Sequence, residues 1–149
     1  MANDEQTARE LVSAAEQSAV TRAVIAWFNG YTDLPLSKVD YEYLGKTSGL
    51  CIAVVQAAYK IKQYINGGYQ AQFQFQIVYR LIADDVDSRI DADEALNEMG
   101  EWAENNVPSP PDGISNWKIK RDTASACMAR YDNNAEDHSI SMTINYEVY

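Results

Sequence analysis

The run YQAQFQFQIVYRLI at residues 69–82 constrains this chain more than any other stretch. Tyr69, Ala71, Phe73, Phe75, Ile77, Tyr79 and Leu81 share one parity, and Gln70, Gln72, Gln74 and Gln76 share the other. A pleated strand places alternate side chains on opposite faces, whereas a helix would scatter these residues around its circumference. The run predicts one long strand with an apolar face and a glutamine face. At roughly 3.3 Å per residue it extends about 45 Å, well beyond the usual strand. No small domain is expected to cover that length alone, so the excess is predicted to be a free arm or to pair with another chain.

A chain of 149 residues is most simply one domain, residues 1–149, with enough mass to bury a core. Apolar residues make up 46% of it, which sets global disorder aside. No run is long and apolar enough to span a bilayer, and the start, Met1-Ala-Asn-Asp-Glu5, is acidic and polar, unlike a signal peptide. A soluble protein made in a cytoplasm is the expectation. Net charge is −10, and residues 84–104 concentrate it, with nine acids against Arg89 alone. That balance argues against a phosphate-binding surface, which needs clustered Lys and Arg. Cys51 and Cys127 both sit in apolar, strand-like runs and are expected to be buried thiols without a disulfide. With no CxxC pair and no Cys/His cluster along the chain, no zinc site is predicted.

Residues 7–28 are predicted to form a helix, with Leu11, Val12, Ala15, Ala19, Val20, Ala23, Val24, Trp27 and Phe28 on one face and Gly30 as its stop. Trp27 and Phe28 should anchor it on a sheet. Residues 31–40 form a linker broken by Pro35, and residues 41–44 a short extended piece. Gly45-Lys-Thr-Ser-Gly49 resembles a phosphate-loop fragment, but the glycine such a loop needs is Asp40 here, and a nucleotide site is rejected. Residues 50–58 read as a buried strand. Residues 59–65 then alternate, with Tyr59, Ile61 and Ile65 against Lys60 and Lys62. Asn66-Gly67-Gly68 supplies a hairpin turn leading into the long strand.

From Asp84 the period becomes helical, with Val86, Ile90, Ala95, Leu96, Met99, Trp102 and Ala103 as its stripe and Asp84, Asp85 and Asp87 at its start. Pro108 to Gly113 forms a linker. Residues 117–121 and 124–131 read as extended, 132–138 as a polar loop, and 139–149 as a strand with Ile140, Met142, Ile144, Tyr146 and Val148 on one face. The predicted fold is α+β: a mostly antiparallel sheet with a long β-hairpin, packed by two helices on one face.

His138, the sole histidine, falls in the predicted polar loop and is expected at the surface. No catalytic nucleophile, cofactor-binding residue or metal ligand is predicted. Asp85 and Asp87 could open a calcium loop, but Arg89 and Ile90 stand where an acid or amide and a glycine belong. Helix capping and a solvated acidic face explain these acids more simply. Asp91, Glu94, Glu98 and Glu101 form the candidate acidic surface, which would repel passing DNA rather than bind it. The glutamine row is open to two explanations, plain solvent exposure or an interface. Uncharged amides hydrogen-bond across an interface without burying a bare charge. The candidate subunit interface is Lys60, Lys62, Tyr64, Tyr69, Gln70, Gln72, Gln74 and Gln76.

The amino-terminal helix, Tyr-Glu-Tyr-Leu-Gly at 41–45, the long hairpin, YRLIADD at 79–85, DSRIDAD at 87–93, Gly100-Glu-Trp102 and a tyrosine-rich final strand occur in that order. Together they resemble the tail-terminator and minor capsid proteins of long-tailed bacteriophages and of prophages of Gram-positive bacteria, over about residues 5–149. The resemblance implies a virion structural protein, assembled in the bacterial host cytoplasm and residing in the tail. It implies a homo-oligomer, a hexameric ring that caps the tail tube, ends its polymerisation and offers a head-docking surface. Isolated terminators can be monomeric until they meet the tube. The implied partners are the tail-tube protein and a head-completion or connector protein, with DNA passing through the ring. It implies no catalytic residue, cofactor, specific nucleic-acid binding or membrane association, and its motifs are packing and turn residues, so it speaks for architecture before activity. The alternatives are another head–tail connector or a tail-tube protein, or a small cytoplasmic module that captures a peptide by strand addition.

Overall fold

In the computed structural model, residues 10–149 are described; residues 7–9 of the first predicted helix lie outside them. Three long strands, β2 (Gly49–Gln63), β3 (Tyr69–Ile82) and β6 (Ala135–Val148), form the middle of a six-stranded, mostly antiparallel sheet. The short β1 (Asp40–Tyr41) lies parallel against β2, while β4 (Ser115–Arg121) and β5 (Ala126–Arg130) share the outer edge of β6. Helices α1 (Ala14–Asn29) and α2 (Val86–Asn105) complete the α+β fold.

The alternation in residues 69–82 becomes strand β3, and Ala71, Phe73, Phe75 and Ile77 are buried as predicted. The free arm does not exist. β3 is matched to β6 without a break from Tyr69↔Val148 to Ile82↔Ala135, and β2 covers its other edge. The chain supplies two flanking strands as long as β3 itself. Residues 50–58 and 59–63, expected as parts of separate pieces, join in one 15-residue strand that leaves Tyr64 and Ile65 outside, and β6 begins at Ala135 instead of residue 139. The hairpin turns through Asn66 and Gly67, where Gly67 takes φ +91°, a value that favours glycine. Irregularities in β2 after Val54, Gln56 and Lys60 break the expected alternation there: Tyr59 is buried, while Ile61 and Ile65 are exposed.

Both helices pack on the same side of the sheet. Val20, Val24, Trp27 and Phe28 of α1 and Leu96, Met99 and Ala103 of α2 meet Phe73, Phe75, Ile140, Met142 and Ile144 in one core. Phe28 is the joint, edge-on to Phe75 of the sheet at 5.9 Å and to Trp102 of α2 at 6.1 Å between ring centroids. The Trp27 indole N–H donates to the Asn106 carbonyl at 3.0 Å, tying the two helix ends together.

Helix α1 starts later than predicted. The Ser13 hydroxyl accepts from the Glu16 N–H at 3.2 Å, which sets an N-cap. Upstream of it, Val12 N–H donates to the Ala58 carbonyl and Lys60 N–H to the Glu10 carbonyl, so residues 10–12 run along the edge of β2. Leu11 is exposed there and does not join the helical stripe. Gly30 caps the helix as expected, in a right-handed conformation. Helix α2 begins at the predicted place, with the Asp85 carboxylate accepting from Ser88 N–H at 2.8 Å. Val86 and Ile90, predicted on the apolar stripe, are exposed, and the buried face begins at Ala92. Gly100 lets α2 approach the sheet: a Cβ there would stand 2.7 Å from Arg121 Cδ and 3.0 Å from Ile140 Cδ1.

Candidate functional site

Gln70, Gln72, Gln74 and Gln76 line up half-buried on the side of the sheet away from the helices. Across β6 they face Glu147, Asn145, Thr143 and Ser141, and β4 extends the same side with Lys118 and Lys120, opposite Asn145 and Thr143. The Gln72 carbonyl accepts from the Tyr59 hydroxyl at 2.6 Å and its amide donates to Asn145 Oδ1 at 3.3 Å. The result is a half-buried row of amides, with Asn145 and Ser141 beside it, while Thr143 is buried and its hydroxyl donates to Asp122. It ends near Val78 and Arg80, where the segment after β1 crosses over and the Gly45 carbonyl accepts from Arg80 Nη1 at 3.0 Å.

The other predicted interface residues divide between the two sides. Tyr64 joins the open side at the hairpin end, donating to Glu147 Oε2 at 2.6 Å and stacking on Tyr149 at 5.9 Å. That bond to Glu147, with partial burial and the nearby charge, pushes the Tyr64 phenol up to about 12. Lys62 Nζ sits 5.8 Å over the Tyr64 ring. Lys60 and Tyr69 are instead engaged on the helix side. Lys60 pairs with Glu10 at 2.6 Å, and the Tyr69 hydroxyl donates to Glu16 of α1. Tyr146 also donates to Glu16, at 2.6 Å, and burial followed by that bond raises its phenol far above the ordinary range. Strand period assigned Tyr69 to the apolar side correctly, and α1 is what occupies that side.

Asp91, Glu94, Glu98 and Glu101 are all exposed, and steps of three, four and three place them on one stripe of α2. Because α2 packs on the side opposite the glutamines, the amide surface and the acidic stripe look out from opposite sides of the molecule. Not every acid of the run is solvated. Glu104 accepts from Arg121 at 2.9 Å, and Asp93 turns toward the sheet.

There it meets a buried polar cluster that the sequence concealed. His138, expected on a surface loop, is 1% exposed within β6. Its Nδ1 lies 2.8 Å from Asp93 Oδ1 and its Nε2 3.1 Å from Glu136 Oε1. Arg89 and Arg130 reach Glu136 Oε2 at 2.8 and 3.3 Å. Burial pushes the Glu136 carboxyl up, but the hydrogen bonds from Arg89 and His138 overcome it and leave it below the usual glutamate range. Cys127 of β5 is directly across from His138, so Cys127, Glu136 and His138 form the Cys/His cluster that no linear motif announced. Cys127 is only half-buried, whereas Cys51 is buried and desolvation raises its thiol to about 11. Both cysteines are free. Running the alternation backward from Ile140 through positions 138 and 136 is the signal that would have put these side chains on the core side. No protein-family model matches this chain, and no curated protein matches it.

Proposed function

We propose that this chain is a virion protein of long-tailed phages or prophages, whose copies form a ring that caps the tail tube, stops its polymerisation and receives the head. The observation that carries this is the open amide surface on β2, β3 and β6. Up to Val78, three strands about 4.8 Å apart and about 30 Å long present roughly 430 Å² per copy, about half of the ~800 Å² per partner of a standard interface, so further surface of each copy completes the contact. Neutral amides and hydroxyls can be buried in such a contact with their hydrogen bonds remade and no unpaired charge. A ring needs a head-to-tail contact, so this surface meets a different part of the next copy. The exposed Ile61 and Ile65 at the hairpin end add an apolar contact point. Strand addition to β3 is disfavoured because both of its edges are already paired.

Mixing the protein with its cognate tail-tube protein and imaging the product tests this directly. Tubes of limited length with one additional ring at the end support a terminator. Long tubes grown from this protein alone would make it a tube protein instead.

Introducing charge on the amide surface should separate folding from assembly. The substitutions Gln72→Glu and Gln74→Glu together should lower the melting temperature by only a few degrees, since both side chains are half-buried. Burying two unpaired carboxylates between copies should weaken ring formation roughly 30-fold, read by sedimentation on tube ends. The acidic stripe can be placed by reversing Asp91, Glu94 and Glu98 to lysine. DNA delivery slows if the stripe lines the ring lumen, and infectivity is unchanged if it faces outward.

A further inference from the structure

We propose that Cys127, Glu136 and His138 form a three-ligand site for a zinc-class divalent cation, with Asp93 orienting the imidazole from behind. Backbone register brings the three together. Cys127 and His138 are direct partners across β5 and β6, and Glu136 lies two residues before His138 on the same side of the same strand. Their Sγ, Oε1 and Nε2 atoms lie within 4.8 Å of one another, with Nε2 to Oε1 at 3.1 Å and Sγ to Oε1 at 3.8 Å. Tetrahedral zinc with bonds of roughly 2.0–2.3 Å places its ligand atoms about 3.3–3.7 Å apart. The longest separation has to close by about 1 Å at most.

The surrounding bonds prepare these atoms for a cation. Asp93 Oδ1 sits 2.8 Å from Nδ1 and is itself held by the Ser125 hydroxyl at 2.7 Å. A carboxylate on the far nitrogen fixes the tautomer that leaves Nε2 free to ligate, the arrangement found behind many zinc-bound histidines. Arg89 and Arg130 occupy Glu136 Oε2, which leaves Oε1 facing inward. A neutral imidazole has one N–H, yet here both ring nitrogens face carboxylate oxygens. Nε2 and Oε1 together form a donor pair that a cation can bridge. The half-buried sulfur beside that pair favours a metal ion, because sulfur, imidazole and carboxylate together suit zinc and its borderline neighbours. A surface recess of about 260 Å³ lined by Cys127, Met128, Ala129 and Arg130 opens beside the cysteine.

The test is titration of the full chain with cobalt(II) and with zinc(II), followed by near-ultraviolet absorption and melting temperature. One equivalent of cobalt should produce a thiolate-to-cobalt charge-transfer band, and zinc should displace it and raise the melting temperature. Cys127→Ser should remove the band and weaken binding at least tenfold. Asp93→Asn should keep the band and weaken binding about tenfold. Absence of the band in folded wild-type protein would overturn the proposal and leave His138 as a hydrogen-bonded core residue. Equal cobalt affinity in folded Cys127→Ser would overturn it as well. If the serine variant fails to fold, the wild-type band decides alone.

Discussion

Phe28→Ala is expected to lower the stability of the fold by about 4 kcal/mol, the largest effect of any single truncation considered. Phe28 is fully buried, and its ring contacts Phe75 of the sheet, Trp102 of α2 and its neighbour Trp27. Truncation removes transfer free energy, leaves a cavity and breaks aromatic pairs worth roughly 0.5–1.5 kcal/mol each. Helices on both sides of the cavity are tethered at their ends by the Trp27–Asn106 hydrogen bond, which limits collapse into the gap. Urea denaturation should show the midpoint falling with the slope unchanged, and the melting temperature dropping by roughly 10 °C or more. Ile90→Ala, at an exposed helical position, should stay within about 0.5 kcal/mol of wild type.

Arg80→Met should cost roughly 3 kcal/mol at neutral pH, for an electrostatic reason. The guanidinium holds Asp137 through two bonds, Nε to Oδ1 at 2.7 Å and Nη2 to Oδ2 at 2.8 Å, and the Asp137 side chain is 3% exposed. Burial pushes the Asp137 carboxyl up, but the Arg80 and Tyr131 hydrogen bonds outweigh it and leave it below the usual aspartate range. A carboxyl lowered on folding contributes stability that is present above its unfolded value, about 3.9, and lost as pH falls through the lower folded value. Without Arg80 the same carboxyl is buried with no counter-charge and keeps only the Tyr131 hydroxyl bond, so its titration moves upward and protonation relieves the penalty. The gap between wild type and variant should be widest near neutrality and narrow as pH falls toward about 4. Replacing both partners, Arg80→Met with Asp137→Leu, should recover most of the loss. Denaturation curves at several pH values measure all three.

Local rules made much of this legible. Period-two alternation located β3 and its buried side, Asn66-Gly67-Gly68 located the turn, and Asp85 located the start of α2. The misreadings share a cause, which is partners distant along the chain. Glu136, Asp137 and His138 look like loop because they are polar. They are strand because Arg89, Arg80 and Asp93 satisfy them from other elements. The expectation of a free arm came from strand length alone, and β2 and β6, each as long as β3, overturn it. Leu11 is in phase with α1, yet the Ser13 cap excludes it. The acidic stripe was legible because solvated helix positions need no partner. Its neighbour Asp93 was not, since only the tertiary fold brings it to His138.

The most direct test of the account is the length distribution of tail tubes polymerised with wild-type protein and with the Gln72→Glu, Gln74→Glu variant. If copies join through the amide surface to close a cap, wild type should truncate the tubes and the equally folded variant should let them grow. Tubes of unrestricted length with wild type, or equal truncation by both proteins, would contradict it.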